Sequence, residues 1–305
     1  MLAFAYNTNG FAHHELVDGF DVLADLGYEG VGLSLDTHHL NPLRSSAADV
    51  ARIAAELGKR KLRVAIETGA RYILDPRRKH EPTLLSAEPE GRARRLDFLL
   101  RCVDIAADLG AEAVAVFSGH FAQSVVPHAL APGGALGAPA LADAWKRLAD
   151  AVTALLDRAA ARGGVAIGFE PEPGMFVDKL SRYDRLLELT GDRLKLTLDL
   201  GHVRCTERTS IPEAVRAYAP RIVNVHVEDV KGTQHLHLPF GEGDIDFPPA
   251  LGALEAVGYR GLVQVELSRN SHDAPEQARR SLEFLKKAVR AWQSRSHASH
   301  RPQGT

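Results

Sequence analysis

Short apolar segments alternate with longer segments of helical periodicity along almost the whole chain. Four of the apolar segments end on a carboxylate or an imidazole: Ala166–Glu170, Leu194–Asp199, Ile222–His226 and Leu262–Glu266. Short runs rich in Val, Ile and Leu between helical segments are typical of buried parallel strands. We therefore predict that Glu170, Asp199, His226 and Glu266 each stand at the end of a strand in one parallel sheet.

The first half of the chain continues this alternation. Its predicted strands are Leu2–Tyr6, Glu29–Leu35, Leu62–Ile66 and Ala113–Phe117. The predicted helices between them are His14–Leu26, Ala47–Leu57 and Pro89–Leu109, and each is followed by a glycine, as is common at helix C termini. Eight strand–helix units in succession predict an α/β protein with a single (β/α)8 TIM barrel over residues 1–293. The polar segment 294–305 is predicted to be a disordered tail.

The spacing of the four strand-end residues supports a barrel. Glu170, Asp199 and His226 follow one another at intervals of about 30 residues, the length of one βα unit. A longer interval before Glu266 leaves room for a loop over Glu228–Phe247. The alternative is a doubly wound open sheet, but no Gly-x-Gly-x-x-Gly pattern follows the first strand. In a barrel the C-terminal strand ends converge on one face, where the four side chains would meet.

Composition and charge narrow the class of protein. The chain has 305 residues and a formal net charge of −2, so no global field attracts it to nucleic acid or to a membrane surface. No apolar run approaches the roughly 20 residues of a membrane span, and Met1–Tyr6 lacks the pattern of a signal peptide. Two cysteines, Cys102 and Cys205, do not make a disulfide framework. We therefore expect a cytoplasmic protein with neither a membrane nor a nucleic-acid partner.

Several motifs resemble the xylose isomerase-like TIM-barrel superfamily, and the resemblance extends to about Trp292. They are Val165–Glu170, Thr197–His202, His226–Asp229, Gln264–Glu266 and the glycine-rich loop His235–Phe247. That superfamily includes sugar isomerases and epimerases, hydroxypyruvate isomerase, inosose and 3-dehydroshikimate dehydratases, and endonuclease IV. The motifs identify the superfamily and leave the substrate open.

The resemblance implies that Glu170, Asp199, His226 and Glu266 bind a divalent metal. Three carboxylates and one imidazole suit Mn²⁺ or Mg²⁺, with Co²⁺ or Zn²⁺ as alternatives. Any one of these residues alone is as readily an ordinary polar strand-end residue, and the hypothesis depends on finding four in consecutive predicted strands.

Three histidines are candidates for a second metal. A His matching His202 contacts substrate in the epimerase members and binds a further zinc in endonuclease IV, whereas a supporting role at a helix start is the alternative. His235 and His237 flank the loop that supplies zinc ligands in endonuclease IV, although both are as readily solvent-exposed. Glu67 and Ser118 stand near positions where histidines would be needed for a third metal, so we expect one or two metals.

Substrate contacts are expected from Glu172, Lys231, Glu67 and His120, each with an ordinary surface or packing role as the alternative. The cationic run Arg77–Lys79 is a candidate for binding a phosphate or carboxylate, although such a run is more often solvated. The segment Phe121–Pro139, rich in Ala, Pro and Gly, is predicted to be an active-site loop.

The expected function is a metal-dependent isomerase or epimerase of a sugar, keto-polyol or similar small carbonyl compound. An enediolate would form, with Glu170 and Glu266 as the acid–base pair and His202 beside them. The alternatives are a dehydratase of the inosose or 3-dehydroshikimate type and a multinuclear zinc phosphodiesterase-type hydrolase. By the same resemblance we expect a small carbohydrate-like substrate and a homodimer or homotetramer.

Overall fold

Eight parallel strands close into a barrel in the computed structural model, which describes residues 1–69, 71–120 and 138–299, with side chains described from 140 to 295 in the last segment. The barrel strands are β1 (Ala3–Asn7), β2 (Gly30–Ser34), β3 (Arg63–Glu67), β4 (Ala113–Val116), β5 (Ala166–Phe169), β6 (Lys195–Asp199), β7 (Ile222–Val227) and β10 (Leu262–Val265). They pair in the order β1-β10-β7-β6-β5-β4-β3-β2, and β1 also pairs with β2. The predicted (β/α)8 barrel is therefore confirmed.

Helices cover the outside of this barrel. They are α1 (Leu16–Leu26), α2 (Ala47–Arg60), α3 (Pro89–Leu109), α4 (Ala138–Ala161), α5 (Leu180–Thr190), α6 (Leu200–Thr206), α7 (Ile211–Tyr218), α8 (Phe247–Ala256) and α9 (Ala274–Ser299). Local chemistry sets several of their ends. Ser46 forms a capping box with Asp49 at the start of α2. Gly27 and Gly110 end α1 and α3 with positive φ angles of 89° and 65°, which glycine adopts without steric cost.

Two predictions about irregular segments are wrong. The segment after β7 contains an antiparallel hairpin, β8 (Asp229–Lys231) paired with β9 (Gln234–Leu238), where a loop was predicted. Helix α9 continues to Ser299, so the first residues of the predicted disordered tail are helical. Residues 300–305 lie outside the described residues, as do residues 121–137 of the predicted active-site loop. No helix in the described ranges combines the length and the apolar character needed to cross a bilayer.

The interior of the barrel changes from apolar to polar toward the C-terminal strand ends. Small and apolar side chains fill the other end, among them Ala3, Ala5 and Ala65. Nearer the C-terminal ends the interior holds Thr197, Asn224 and Gln264, all with no exposed area. Buried polar groups require partners, so this layer is the floor on which a polar site is built.

Gly32 on β2 makes room for that layer. A Cβ atom at this position would lie 1.6 Å from Oε1 of Gln264. No side chain larger than hydrogen is compatible with the observed position of Gln264. The glycine is therefore needed for packing inside the barrel and not for a turn.

Candidate active site and metal centre

Four strand ends bring three carboxylates and one imidazole together. One ligand-type atom from each of Glu170, Asp199, His226 and Glu266 lies within 4.8 Å of the corresponding atoms of the others. Nδ1 of His226 lies 3.1 Å from Oε1 of Glu170 and 3.4 Å from Oε2 of Glu266. Oδ2 of Asp199 is buried and has no hydrogen-bond partner among the described residues. This oxygen-rich donor set, with one imidazole, fits Mn²⁺ or Mg²⁺ and also accepts Co²⁺ or Zn²⁺.

Glu67 fixes the orientation of His226 from across the barrel. Oε1 of Glu67 lies 2.9 Å from Nε2 of His226, the ring nitrogen that faces away from the cluster. A carboxylate that accepts from the outer nitrogen of a ligating histidine fixes its tautomer and makes it a better ligand. Glu67 was predicted to contact substrate. It does line the cavity, but Oε1 is used to hold a predicted ligand.

The residues that complete this support were missed by sequence reasoning. Asn224 and Gln264 each donate an amide N–H to Oε1 of Glu67, at 3.2 and 3.1 Å. Gln264 also donates to Oδ1 of Asn224. Each lies two residues before a predicted ligand, His226 or Glu266. A polar residue in the middle of a Val-rich strand, on the same face as the ligand, is the signal that could have found both.

The charged groups of the cluster shift one another's pKa values. Burial would lower the pKa of His226, but the carboxylates of Glu67 and Glu170 outweigh burial and raise it well above the ordinary value. Burial raises the pKa of Glu170 to about 7, with a partial offset from His226. Burial acts in the same direction on Glu266, but the nearby His237 and His226 outweigh it and lower the pKa of Glu266. The carboxylates thus favour a positive charge at the centre of the cluster.

Asp199 connects the four-ligand cluster to the histidine beside it. Burial would raise its pKa, but His202, His226 and His237 hold the pKa below its usual range. Oδ1 accepts a 2.8 Å hydrogen bond from the backbone N–H of His202 and so caps α6. Strand β6 and helix α6 follow each other without a loop, and this fixes His202 next to Asp199.

His202, His235 and His237 form a second cluster whose ligand-type nitrogens lie within 4.8 Å of one another. Nδ1 of His202 lies 3.1 Å from the carbonyl oxygen of Pro171, so it carries the hydrogen and donates. The other nitrogen, Nε2, lies 2.9 Å from Nε2 of His235. Burial lowers the pKa of His202, and burial together with His202 lowers the pKa of His235 to about 3. Neutral imidazoles with converging nitrogens are what a metal requires from histidine.

The hairpin that carries His235 and His237 is closed by Asp229. Oδ2 of Asp229 accepts from the backbone N–H groups of Gly241 and Gly243, at 2.9 and 3.0 Å. Oδ1 accepts from the N–H groups of Val230 and Ile245, at 2.9 and 3.2 Å. One carboxylate therefore ties the base of the hairpin to the glycine-rich segment that follows it.

Glu228 is a buried carboxylate that sequence reasoning gave no role. Neither oxygen has a hydrogen-bond partner among the described residues, and the side chain is fully buried. A Cβ on Gly201 would lie 1.9 Å from Oε1 of Glu228, so the glycine leaves space for this side chain. Burial and the nearby Asp199 raise its pKa well above the ordinary value. Glu228 therefore lies buried beside Asp199 of the first cluster and His237 of the second.

A cavity of about 270 Å³ opens above the clusters. Its size is near the lower end of the range of about 300–1,000 Å³ typical of small-molecule sites. Of the predicted substrate contacts, Glu172, Glu67 and His120 line it. Burial, followed by the effect of Glu170, raises the pKa of Glu172 well above the ordinary value.

Two other predicted contacts are placed differently. Lys231 ends β8 at the turn of the hairpin and is exposed, outside the set of described residues that line the cavity. Of the cationic run, Lys79 lines the cavity, whereas Arg78 forms an ion pair with Asp75 at 2.9 Å. The run is therefore divided between the cavity and the surface.

The fold and this site define a TIM barrel with a potential metal centre at its C-terminal strand ends. A family model described as xylose isomerase-like TIM barrel matches residues 20–288, so the chain belongs to that family. The resemblance on which the predictions rest is thereby confirmed.

Curated relatives include two bacterial proteins. The rhizopine catabolism protein MocC of Rhizobium meliloti is 32% identical over 147 residues, which are 43% of this chain and 45% of that protein. An inosose dehydratase of Klebsiella pneumoniae is 28% identical over 148 residues, which are 41% of this chain and 48% of that enzyme. The chain thus spans less than half the length of either relative.

Among solved structures, an L-ribulose 3-epimerase superposes with a TM-score of 0.74. Sequence identity is 20%, and all of both chains is covered. At this identity the similarity shows the fold.

Proposed function

We propose that the protein is a divalent-metal-dependent enzyme that isomerises or epimerises a sugar, keto-polyol or similar small carbonyl compound. The observation that carries this proposal is the placement of His226. One nitrogen is held by Glu67, and the other faces the carboxylates of Glu170 and Glu266. An ordinary hydrogen-bonded core histidine would not need three carboxylates within 3.4 Å of its ring nitrogens.

Glu170, Asp199, His226 and Glu266 would hold the metal. When bound there, Mn²⁺ or a similar ion would act as a Lewis acid on a carbonyl oxygen and the adjacent hydroxyl. This would acidify the C–H proton on the carbon that bears the hydroxyl. The protein's part is to hold the ligands in the correct orientation, and Glu67 does this for His226 through its contact with Nε2.

Glu170 and Glu266 would transfer the proton. They follow β5 and β10, which are separated in the barrel by β6 and β7, so they approach a bound substrate from two sides. One carboxylate removes the proton to give the enediolate, and the other returns it to the neighbouring carbon or to the opposite face. Asn9 donates a 2.9 Å hydrogen bond to Oε1 of Glu266 and fixes that side chain. His202, buried between the two clusters, would contact the reacting hydroxyl.

The second candidate is a dehydratase, and the sequence similarity to inosose dehydratase favours it. Removal of the same proton would give an enolate, and a proton donor would then assist loss of a β-hydroxyl as water. In this proposal His202, which lines the cavity, would assist the departure of the hydroxyl, whereas the exposed Lys231 is outside the residues that line the cavity. The product distinguishes the two reactions, because an isomer keeps the mass of the substrate and a dehydration product loses one water.

The third candidate is a multinuclear zinc hydrolase, and the cluster of His202, His235 and His237 is the observation in its favour. Among the residues that the structure describes, only these two clusters of potential metal ligands are found. Glu67 and Ser118 stand near the positions where endonuclease IV has histidines. Glu67 contacts His226. The hydroxyl of Ser118 donates to the carbonyl oxygen of Gly119 and accepts from the N–H of Val177. We therefore propose one metal in the four-ligand cluster, with a second in the three-histidine cluster as the alternative.

Metal content per chain tests these proposals first. The full-length protein is purified without chelator, and Mn, Mg, Co and Zn are measured by elemental analysis. We expect about one ion per chain in the wild type and a loss in Asp199→Asn, with His235→Ala retaining the ion. Two zincs per chain, one of them lost in His235→Ala, would favour the hydrolase.

Turnover of ketoses and keto-inositols is measured next by mass spectrometry and NMR spectroscopy. Interconversion without change of mass supports the isomerase, and loss of water supports the dehydratase. We also propose a small-molecule substrate, a cytoplasmic location and a homodimer or homotetramer, which light scattering and fractionation can test.

A further inference from the structure

The loop between β3 and α3 is held against the barrel by the first turns of α3. Three arginines of that helix donate to loop carbonyls: Arg92 to Ser86 and Ala87, Arg94 to Leu74, and Arg95 to Thr68. The loop segment 81–86 is buried. These contacts make the loop a fixed wall of the cavity, and side chains on it have defined positions.

His80 is the residue that this wall presents beside Phe117 and His120. Its backbone has a φ of +64°, which is uncommon for a residue other than glycine. Its N–H donates to the carbonyl oxygen of Arg71 at 2.7 Å. The ring meets Phe117 edge-on, with centroids 5.7 Å apart and planes at 83°. Left-handed conformations at non-glycine residues persist where the surrounding structure holds them, and they are frequent at ligand sites.

The tautomer of His80 follows from its one ring hydrogen bond. Nδ1 is bonded to the carbonyl oxygen of Gly69, and a carbonyl can only accept. Nδ1 therefore carries a hydrogen. Burial lowers the pKa of His80 to about 4, so the ring is neutral near pH 7 and Nε2 keeps its lone pair. No hydrogen bond joins Nε2 to another residue in the part of the chain that the structure describes.

The position of His80 in the barrel places this acceptor away from the metal ligands. The loop follows β3, which stands opposite β7 and its His226 in the strand order. His80 lines the same cavity as Glu170 and Glu266. A substrate whose carbonyl end lies at the four-ligand cluster would extend a more distant group toward this wall.

We infer that His80 is a specificity-determining residue whose Nε2 accepts a hydrogen bond from a substrate hydroxyl that is remote from the reacting carbons. The inference rests on the proposed function and adds the class of group that the far wall recognises. A hydroxyl can donate to this nitrogen. A carboxylate or a fully ionised phosphate offers only lone pairs and cannot donate to this nitrogen.

Substitution by asparagine separates recognition from loop structure. Asparagine tolerates a positive φ, and its side-chain N–H₂ can replace Nδ1–H in the bond to Gly69. His80→Asn therefore keeps the loop anchored but has no counterpart of Nε2. His80→Leu removes both the hydrogen bond to Gly69 and the Nε2 acceptor, and it is the comparison variant for loop disruption. Thermal unfolding of the full chain reports whether the asparagine variant keeps the wild-type fold.

The tautomer can be tested without any substrate. The wild type and His80→Asn are labelled with ¹⁵N-histidine, and the signals missing in the variant identify His80 in long-range ¹H–¹⁵N spectra. We expect a neutral ring with hydrogen on Nδ1. A ring with hydrogen on Nε2, or a charged ring at pH 7, would overturn the inference whatever the enzyme's activity.

Recognition is tested on the ketose or keto-inositol that the wild type turns over best. Its monodeoxy analogues are compared with the parent by kcat/KM in wild type and in His80→Asn. In the wild type we expect kcat/KM for one remote deoxy analogue to be about 10- to 100-fold lower than for the parent, as when a buried hydrogen bond loses one partner. In His80→Asn, kcat/KM for the parent should fall by a similar factor relative to the wild type. For that deoxy analogue, kcat/KM of the variant should be close to the wild-type value.

The outcomes are distinguishable. If wild type and His80→Asn discriminate equally among all the analogues, the inference about His80 is wrong while the proposed function stands. If the metal-loaded wild type neither turns over nor binds any panel compound in calorimetry, the proposed function fails and recognition by His80 fails with it.

Discussion

The two sides of the cavity are built in different ways. On the side formed by β5, β6, β7 and β10, a carboxylate or imidazole stands at or beside the end of each strand, and the barrel register brings Glu170, Asp199, His226 and Glu266 together. On the side formed by β2, β3 and β4, the strand ends carry Ser34, Glu67 and Val116. Lys79 and His80 instead reach the cavity from a long loop. Strand ends thus build the four-residue cluster, and a loop shapes the cavity above it.

This difference predicts which amino-acid substitutions change the four-residue cluster and which change only the cavity above it. A substitution at a strand end alters the four-residue cluster itself, because no neighbouring residue can take its place in the register. A substitution in the loop leaves the cluster intact and changes the shape of the cavity above it. The four predictions below test this separation, from the largest expected effect to the smallest.

Replacement of either carboxylate that flanks His226 should have the largest effect. Glu170→Gln and Glu266→Gln keep the shape of the side chain but remove the proton acceptor, so we expect turnover to fall by about 10²–10⁴-fold. Steady-state kinetics measures this on the ketose or keto-inositol that the wild type turns over best. Glu29→Gln, at an exposed position, is the control and should be unchanged. Full activity in either site variant would exclude its acid–base role.

Glu67→Gln should weaken metal binding without changing the ligands. The amide can no longer accept from Nε2 of His226 as a carboxylate does, and loss of such a partner typically costs about 10–100-fold in metal affinity. Isothermal titration with Mn²⁺ gives the affinities of wild type and variant. Equal affinities would mean that Glu67 does not orient His226, and a role in substrate binding would then be the better assignment.

Gly32→Ala should disturb the polar layer beneath the site. Its Cβ would lie 1.6 Å from Oε1 of Gln264, so Gln264 must move, and overpacking of this kind costs about 1–3 kcal/mol. Denaturant unfolding measures the loss in unfolding free energy. Gly58→Ala in α2 is the matched control, because a Cβ there meets nothing within 4 Å. Alanine in that helix interior should stabilise by about 0.5–1 kcal/mol.

The smallest expected effect, counted for each unit of pH, is the pH dependence of stability at His80. Burial lowers the pKa of the folded state to about 4, with contributions from Lys79, Arg95 and His120 and an offset from the bond to Gly69. The unfolded chain has the ordinary pKa of about 6.5 and so binds more protons between these values. Stability from the neutral ring is complete above pH 6.5 and is lost as the pH falls toward 4.

The slope of this loss is at most about 1.4 kcal/mol per pH unit. His80→Asn lacks this contribution, so the difference in unfolding free energy between wild type and variant should shrink as the pH falls from 6.5 to 4. Denaturant titrations at half-unit pH steps measure it. A difference that is constant with pH would show that the folded ring titrates as in water.

The sequence predicted what depends on periodicity and strand ends. The barrel is confirmed, and the four strand-end residues lie together because apolar runs reveal strands and the last residue of each run lies at the face where strand ends converge. Their role as metal ligands stays a prediction. Asn224 and Gln264 were missed, since hydrophobic periodicity does not show a polar layer buried inside a barrel.

Loops were the least predictable part. Lys231 was placed near the substrate from its distance to His226 along the chain, but a hairpin turns it outward. His80 received no role because its position depends on arginines of α3 and on a left-handed backbone conformation. Neither feature has a short-range sequence pattern.

The carboxylate of Asp229 has a consequence for engineering. It gathers the backbone of Gly241, Gly243 and Ile245 at the base of the β8–β9 hairpin, while the tip at Lys231–Gln234 is largely exposed. Exposed loop tips accept inserted sequence best when the base is fixed. A short peptide tag or a fluorophore attachment site between Gly232 and Thr233 would therefore lie on an exposed turn whose base is already fixed.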